Sequence, residues 1–390
     1  MDSIKIHNFG PVKDVDIELS KLMVFIGPQG SGKSTIAKLL TVLSDVYWWI
    51  KVCENDNPLE AFRKIGIESC FQPDTIINYH WRDEVHITFD EGVFSVSVKD
   101  VNPEDTSKYC QLLIGNAAKK ELEKLGADTD NIQRDRLLAK NRNYLRAFMR
   151  LACYIPAERN LTGAVASSLA NILVSKVPLP NTLIEFMSFF ERARNHYATY
   201  DASFLGVKYN RDFGSECISL LENSEKHLPL EACSSGIQSA LPLLMVLDYA
   251  REDSGFESFV IEEPEQNLFP TNQREVLNRI IRLSQHKKDC TIIINTHSPY
   301  LLSALNVSML AAKLSKADDY KEEVDSIVPP QFRVDSAEVS VFSLGGENYC
   351  ESIKDDKTGI VSVNYLDVVS DAIGSDFNKL YQLYLKTLKK

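Results

Sequence analysis

The segment Gly27-Pro28-Gln29-Gly30-Ser31-Gly32-Lys33-Ser34-Thr35 constrains this chain more than any other stretch. It reads G-x-x-x-x-G-K-S with a further Thr. The apolar run Leu22-Met23-Val24-Phe25-Ile26 precedes it, and apolar residues at helical spacing follow at Ile36, Ala37, Leu39, Leu40 and Leu43. Strand, glycine loop, helix is the context that turns this pattern into a phosphate-binding loop. Glycines let successive backbone N–H groups turn inward around phosphate oxygens. The helix N-terminus adds unpaired donors and the positive end of its dipole. The loop from Gly27 through Gln29, Gly30, Ser31 and Gly32 to Thr35 is therefore read as a nucleotide cradle. Lys33 reaches the β- and γ-phosphates and Ser34 holds Mg²⁺.

The second half of the chain supplies complementary chemistry. Phe259-Val260-Ile261 runs into Glu262-Glu263-Pro264-Glu265. A buried strand ending in two acids suits a Mg-nucleotide site, with Glu262 orienting the metal shell and Glu263 polarising the attacking water. The bland alternative is an acidic loop in solvent. Thr291-Ile292-Ile293-Ile294-Asn295 leads into Thr296-His297-Ser298-Pro299, which places His297 just past the end of a core strand. There it can reach a γ-phosphate. Ser235 and Gly236 stand where an apolar helix begins, either as an anion site or as an ordinary helix cap.

The 390 residues, 44% of them apolar, allow a sizeable core and two or three lobes. A net charge of −11 argues against a surface that coats nucleic acid everywhere, but allows a local basic patch. The eight cysteines are scattered with no C-x-x-C, which argues against a disulfide framework and a zinc knuckle. No signal-peptide pattern opens the sequence. The most apolar stretch, Ala240 to Ala250, contains Pro242 and Asp248 and is too short to span a bilayer. A soluble cytoplasmic protein with no membrane partner is expected. Alternation predicts short strands before the loop and a hairpin over Glu84–Val98 with its turn at Asp90-Glu91-Gly92. Strands alternating with helices after residue 230 predict an α/β fold with a mainly parallel core sheet.

The P-loop, then Ser234-Ser235-Gly236-Ile237-Gln238, then Phe259 to Glu265, then Asn295 to Pro299, taken in this order, resembles the ATP-binding-cassette class of ATPases. Within that class the chain is similar to the soluble branch of SMC, RecF and OLD-type proteins. The opening Ile4-Lys5-Ile6-His7-Asn8-Phe9-Gly10-Pro11 and the segment Tyr154-Ile155-Pro156-Ala157-Glu158-Arg159 share that resemblance.

The resemblance implies an ATPase head with an antiparallel β subdomain and a helical lobe. Residues 1–110 would form the N-terminal lobe with the P-loop and the β subdomain. Residues 111–205 would form the helical lobe, including the core strand at 152–159. Residues 206–305 would form the C-terminal lobe, and 306–390 an extension packing on the core. It implies ATP and Mg²⁺ as ligands, Lys33, Glu263 and His297 as catalytic residues, and Ser34 and Glu262 as metal-holding residues. Ser235 and Gly236 match the signature loop, which in this class contacts the γ-phosphate of ATP bound to a second subunit. Glu265-Gln266-Asn267-Leu268 lies where the dimer-contacting loop belongs, and Glu158 or Arg159 where the glutamine loop belongs. Ile237 replaces the second signature glycine, and Glu262 the usual aspartate.

The expected assembly is an ATP-dependent homodimer, or a higher oligomer built on it. Two roles compete. The resemblance to OLD-like ATPases of bacterial defence systems implies a switch controlling a separate effector protein. The residues after His297 show no buried strand ending in D-x-D, the arrangement of a fused metal nuclease. The other role is RecF-like DNA binding through the basic stretch Arg134–Arg150, in which Arg142, Arg146 and Arg150 recur at i, i+4 spacing. A solvated helix face is the plain alternative there. A small-molecule kinase leaves His297 and the Ser235 loop unexplained, and a GTPase would need an N-K-x-D motif, which is absent.

Overall fold

The computed structural model describes residues 2–113, 152–166, 178–212, 215–252, 258–286, 290–316, 320–346, 349–355, 357–362 and 373–381. In chain order the first strands and helices are β1 (Ser3–Phe9), β2 (Val12–Glu18), β3 (Leu22–Ile26), α1 (Lys33–Leu43), α2 (Val46–Cys53) and α3 (Glu60–Lys64). Then come β4 (Ile76–Trp81), β5 (Val85–Asp90), β6 (Val93–Val98), β7 (Ala152–Ile155), α4 (Leu161–Ala166) and α5 (Asn181–His196). Strands β8 (Thr199–Ala202), β9 (Val207–Asp212), β10 (Ser215–Leu220) and β11 (Asn223–Leu228) precede α6 (Ser235–Glu252). The chain continues through β12 (Ser258–Glu262), α7 (Pro270–His286), β13 (Thr291–Asn295), α8 (Pro299–Leu314) and α9 (Lys321–Ile327). It returns to the sheet in β14 (Val339–Gly346) and β15 (Tyr349–Ser352).

The central sheet has the order β15-β14-β3-β13-β12-β7. Every pairing in it is parallel except β14 with β15. Parallel strands covered on both faces read as unbroken apolar runs, and β3 is buried at every position. Its alternation divides two cores. Leu22, Val24 and Ile26 join Ile261, Ile292 and Ile294 in one cluster, packed by α5, α6, α7 and α8. Met23 and Phe25 join Val260 and Ile293 in the other, packed by α1 and by the antiparallel sheet β2-β1-β4-β5-β6. Each such fully buried side chain contributes roughly 1.5–3 kcal/mol.

The expected hairpin is β5–β6, with left-handed backbone at Glu91 and Gly92. Phe186, Phe189 and Phe190 on α5 are buried in the first core. A second antiparallel sheet, β11-β10-β9-β8, lies beside that core. Tyr200 on β8 and Arg279 on α7 both donate to Asp248 Oδ2 of α6, at 2.6 and 2.9 Å. That pairing explains an acid within an apolar helix. All eight cysteines are free. No helix among the described residues is long and apolar enough to cross a membrane. The basic residues of the 134–150 stretch lie outside the described residues. Residues 373–381 form a helix exposed throughout, and the contact of the C-terminal region with the sheet is made by β14 and β15.

Candidate functional site

The parallel register brings the carboxyl ends of four strands level: Phe25 pairs with Asn295, Asn295 with Glu262, and Ile261 with Ile155. Open α/β sheets bind ligands at this edge. The glycine loop leaves β3 there. Gly27, Gly30 and Gly32 have φ of 147, 76 and 94°, backbone that L side chains rarely adopt. Gln29 and Gly30 stand exposed at the tip, Ser31 and Gly32 are buried, and Ser34 and Thr35 open α1. The first turn of α1 carries no acid, so nothing on the helix itself offsets the positive end of its dipole.

Lys33 turns back into the loop, and its ammonium donates to the carbonyls of Gly27 and Pro28, at 2.9 Å each. Burial lowers its pKa from the usual 10.5, against the opposing pull of Glu262, Glu263 and Glu265. Beside it Ser31 Oγ is buried without a hydrogen bond. A buried cation satisfied only by neutral carbonyls, next to an orphaned hydroxyl, is a cradle one anion short. A phosphate group fits both.

Across the loop, Glu262 Oε2 accepts from Ser34 Oγ at 2.9 Å. Its other oxygen accepts from Tyr154 OH at 2.7 Å and Asn295 Nδ2 at 2.9 Å. Burial, then the charge of Glu262, pushes the Tyr154 pKa well up, so the phenol remains a donor. One carboxylate oxygen is thereby pinned and the other is aimed at Ser34. A serine hydroxyl and one carboxylate suit Mg²⁺, which keeps several waters and takes phosphate oxygens for the rest of its shell. Among the described residues no group of three or more His, Cys, Asp or Glu is placed to hold a metal by itself.

Glu263 has φ 43°, a costly conformation for a side chain of its size. Its amide donates to Asn295 O at 2.8 Å. Its side chain and those of Ser34, Lys38, Glu158 and Glu262 help line a cavity of about 420 Å³. The conformation is held by Arg159, which is fully buried. The guanidinium donates to Glu262 O and Glu263 O at 2.6 Å each, to Pro156 O at 3.0 Å and to Ser239 O at 3.2 Å. Burial drops its pKa to about 10, with Glu265 and Glu263 resisting. Of the two residues considered for the glutamine-loop position, Glu158 faces the cavity and Arg159 faces backbone carbonyls.

His297 is half-buried, and burial followed by the charge of Lys33 lowers its pKa from 6.5. The neutral ring is therefore favoured. Its position is fixed from both sides. Glu265 Oε1 accepts from His297 N at 2.8 Å and Thr296 Oγ1 at 2.7 Å, and Ser298 Oγ caps α8. Glu265 thus points inward, and the aromatic left outside on its loop is Phe269, 72% exposed.

Ser235 and Gly236 open α6. Among the described residues no hydrogen bond joins either to the P-loop. A Cβ on Gly236 would sit 2.7 Å from Asn267 O, so this glycine is required by the approach of its own chain's 265–268 loop. Ile237 packs against the first core. The structure therefore gathers the P-loop, Glu262, Glu263 and His297 at one edge, and leaves Ser235 exposed. Tyr154 and Asn295, the partners of Glu262, are parts of the site that sequence patterning missed. Only Asn295 carried a hint, because it ends β13 level with Glu262, whereas Tyr154 lies level with Val260.

The profile of the AAA ATPase domain family matches residues 1–161 and 159–302. A curated relative, the OLD nuclease of Thermus scotoductus, is 23% identical over 365 residues, which cover 81% of this chain and 62% of the relative. The chain thus spans under two thirds of that relative's length. Solved SMC heads are also similar. One, bound to the C-winged helix domain of ScpA, is 11% identical with a TM-score of 0.41, over 91% of this chain and 98% of that one. The SMC head domain from Thermotoga maritima is 15% identical with a TM-score of 0.35, over 77% and 90%.

Proposed function

The chain belongs to the AAA ATPase domain family, and from that premise we propose that it hydrolyses ATP with Mg²⁺ inside an ATP-sandwiched homodimer. The observation that carries the reading is the Ser34–Glu262 hydrogen bond beside the buried Lys33, which joins the two halves of a metal–phosphate site. ATP is the substrate. Lys33 and the loop amides would bind its phosphates, and Ser34 with Glu262 would hold the metal, which supplies charge neutralisation on the phosphate oxygens. Glu263 would orient and polarise the attacking water. A neutral His297 would hydrogen-bond the terminal phosphate without adding a charge beside Lys33. Ser235 of a second copy would complete the phosphate contacts, because this chain leaves it exposed.

Such a site makes assembly depend on nucleotide, and hydrolysis releases it. We place the protein as a nucleotide switch acting on a partner effector in bacterial antiviral defence, in line with its similarity to an OLD-type relative. The test uses Glu263→Gln, which keeps the shape of the site and removes its base. Light scattering with saturating ATP and Mg²⁺ should show the mass doubling relative to the nucleotide-free sample. A monomer that holds ATP at saturation would leave an ATP-binding protein and remove the sandwich.

A further inference from the structure

We propose that Tyr349 is a positioning residue for the phosphate-binding loop, its hydroxyl holding the Ser31–Gly32 peptide so that the Gly32 amide faces the nucleotide. The inference rests on the ATPase reading and extends it to a segment beyond residue 302, where the family match ends.

The placement follows from register. β14 runs parallel to β3, with Ser343 opposite Ile26. Its continuation therefore reaches the level of the loop as β3 ends. Gly345, with φ 91°, bulges the strand there, and a Cβ on it would lie 3.3 Å from Pro28 Cδ and 3.5 Å from Ser31 Cβ. The carbonyl of Leu344 abuts Gly27. β15 then returns antiparallel, and its first residue, Tyr349, points its phenol at the back of the loop.

Tyr349 OH is within hydrogen-bond reach of two carbonyls, Ser31 O and Pro11 O, the second at 3.1 Å. Burial pushes its pKa up to about 12, so it remains a donor at neutral pH. The peptide unit is planar and trans, so its C=O and N–H point in opposite directions. Fixing the Ser31 carbonyl outward therefore fixes the Gly32 N–H inward, toward the Lys33 side of the loop. Gly32 is confined on the same side: a Cβ there would meet Tyr349 OH at 2.7 Å and Val12 Cγ2 at 2.9 Å. The phenol approaches from outside the cradle and competes for none of its inward donors.

Tyr349→Phe keeps the ring and removes the donor. Calorimetry should show ATP binding about 3- to 10-fold weaker. KM should rise by the same factor with kcat nearly unchanged, and the nucleotide-free melting temperature should stay close to the parent value. A purely structural role would move the melting temperature and leave the binding constant. Tyr349→Ala, which also removes the ring, should weaken binding further. Parent affinity in Tyr349→Phe, or a loss of affinity that only tracks a large fall in melting temperature, would overturn the proposal and leave the ATPase reading standing. If the parent protein itself binds no ATP, both fall together.

Discussion

The helix starts of α1 and α6 both carry glycine, but for different physical reasons. At α1 the need is torsional: Gly27, Gly30 and Gly32 all have positive φ, with space tight as well at Gly27 and Gly32 but open within 4 Å at Gly30, whose φ is 76°. At α6 the need is space, because Asn267 O occupies the position beside Gly236. The first loop encloses a buried cation and an orphaned hydroxyl. The second is fitted to its own chain on one side and open on the other. The first loop is thus a cradle already short of an anion and the second a shaped surface; in the function proposed above, the second gains its ligand by meeting the first loop of another copy.

The comparison breaks most sharply at Lys33. Lys33→Ala removes the buried charge and should weaken ATP binding at least about 100-fold, since charge-assisted hydrogen bonds are worth roughly 1.5–3 kcal/mol each. Isothermal titration checks this, and near-parent affinity would deny the cradle its role.

Arg159 ties the end of β12 to α6, because it joins the carbonyls of Glu262 and Glu263 to Ser239 on α6. Arg159→Lys keeps the charge but loses the fork. It should lower unfolding stability by about 2–4 kcal/mol, since carbonyls are left unpaired in the interior. A denaturant titration reads this, and a change under about 0.5 kcal/mol would mean the guanidinium is not the tie described.

Gly236→Ala and Gly30→Ala test the two reasons for glycine separately. The first forces a methyl against Asn267 O and should cost about 1–3 kcal/mol of stability. The second meets only a torsional penalty of about 1 kcal/mol. Thermal unfolding of the pair should rank them in that order, and equal effects would erase the distinction.

The smallest expected effect is a pH dependence at His297. Its folded pKa is depressed by burial and then by Lys33, so its contribution to stability is present above 6.5 and lost as pH falls through the folded value. His297→Gln should therefore lose less stability than the parent on acidification from about pH 7 to about pH 5. Parallel losses in the two proteins would mean the ring does not titrate in this environment.

The parts of the site that were legible in the sequence are those that local order dictates. A buried strand must be apolar throughout, so the ends of β3, β12 and β13 stand out, and with them Lys33, Glu262, Glu263 and His297. Long-range contacts leave no such trace. Tyr349 lies 318 residues from Ser31, and Arg159 lies 103 and 104 residues from the carbonyls it holds. β8 has only four residues and β11, Asn223–Leu228, is polar, so neither has enough periodicity to be read. β4 is hard to read because the exposed Ile76 stands beside the buried Ile77, which blurs its alternation.

The central claim is that a complete site takes Lys33 from one copy and Ser235 from another, and mixing two defective chains tests it directly. Lys33→Ala and Ser235→Glu should each be nearly inactive alone. Each mixed dimer contains one site with both native residues and one with neither. ATP turnover should therefore reappear on mixing and peak near equal amounts of the two. If Ser235→Glu alone turns over like the parent, or if no mixture recovers activity while the two chains pair with each other, each chain works with its own residues and the composite site is wrong.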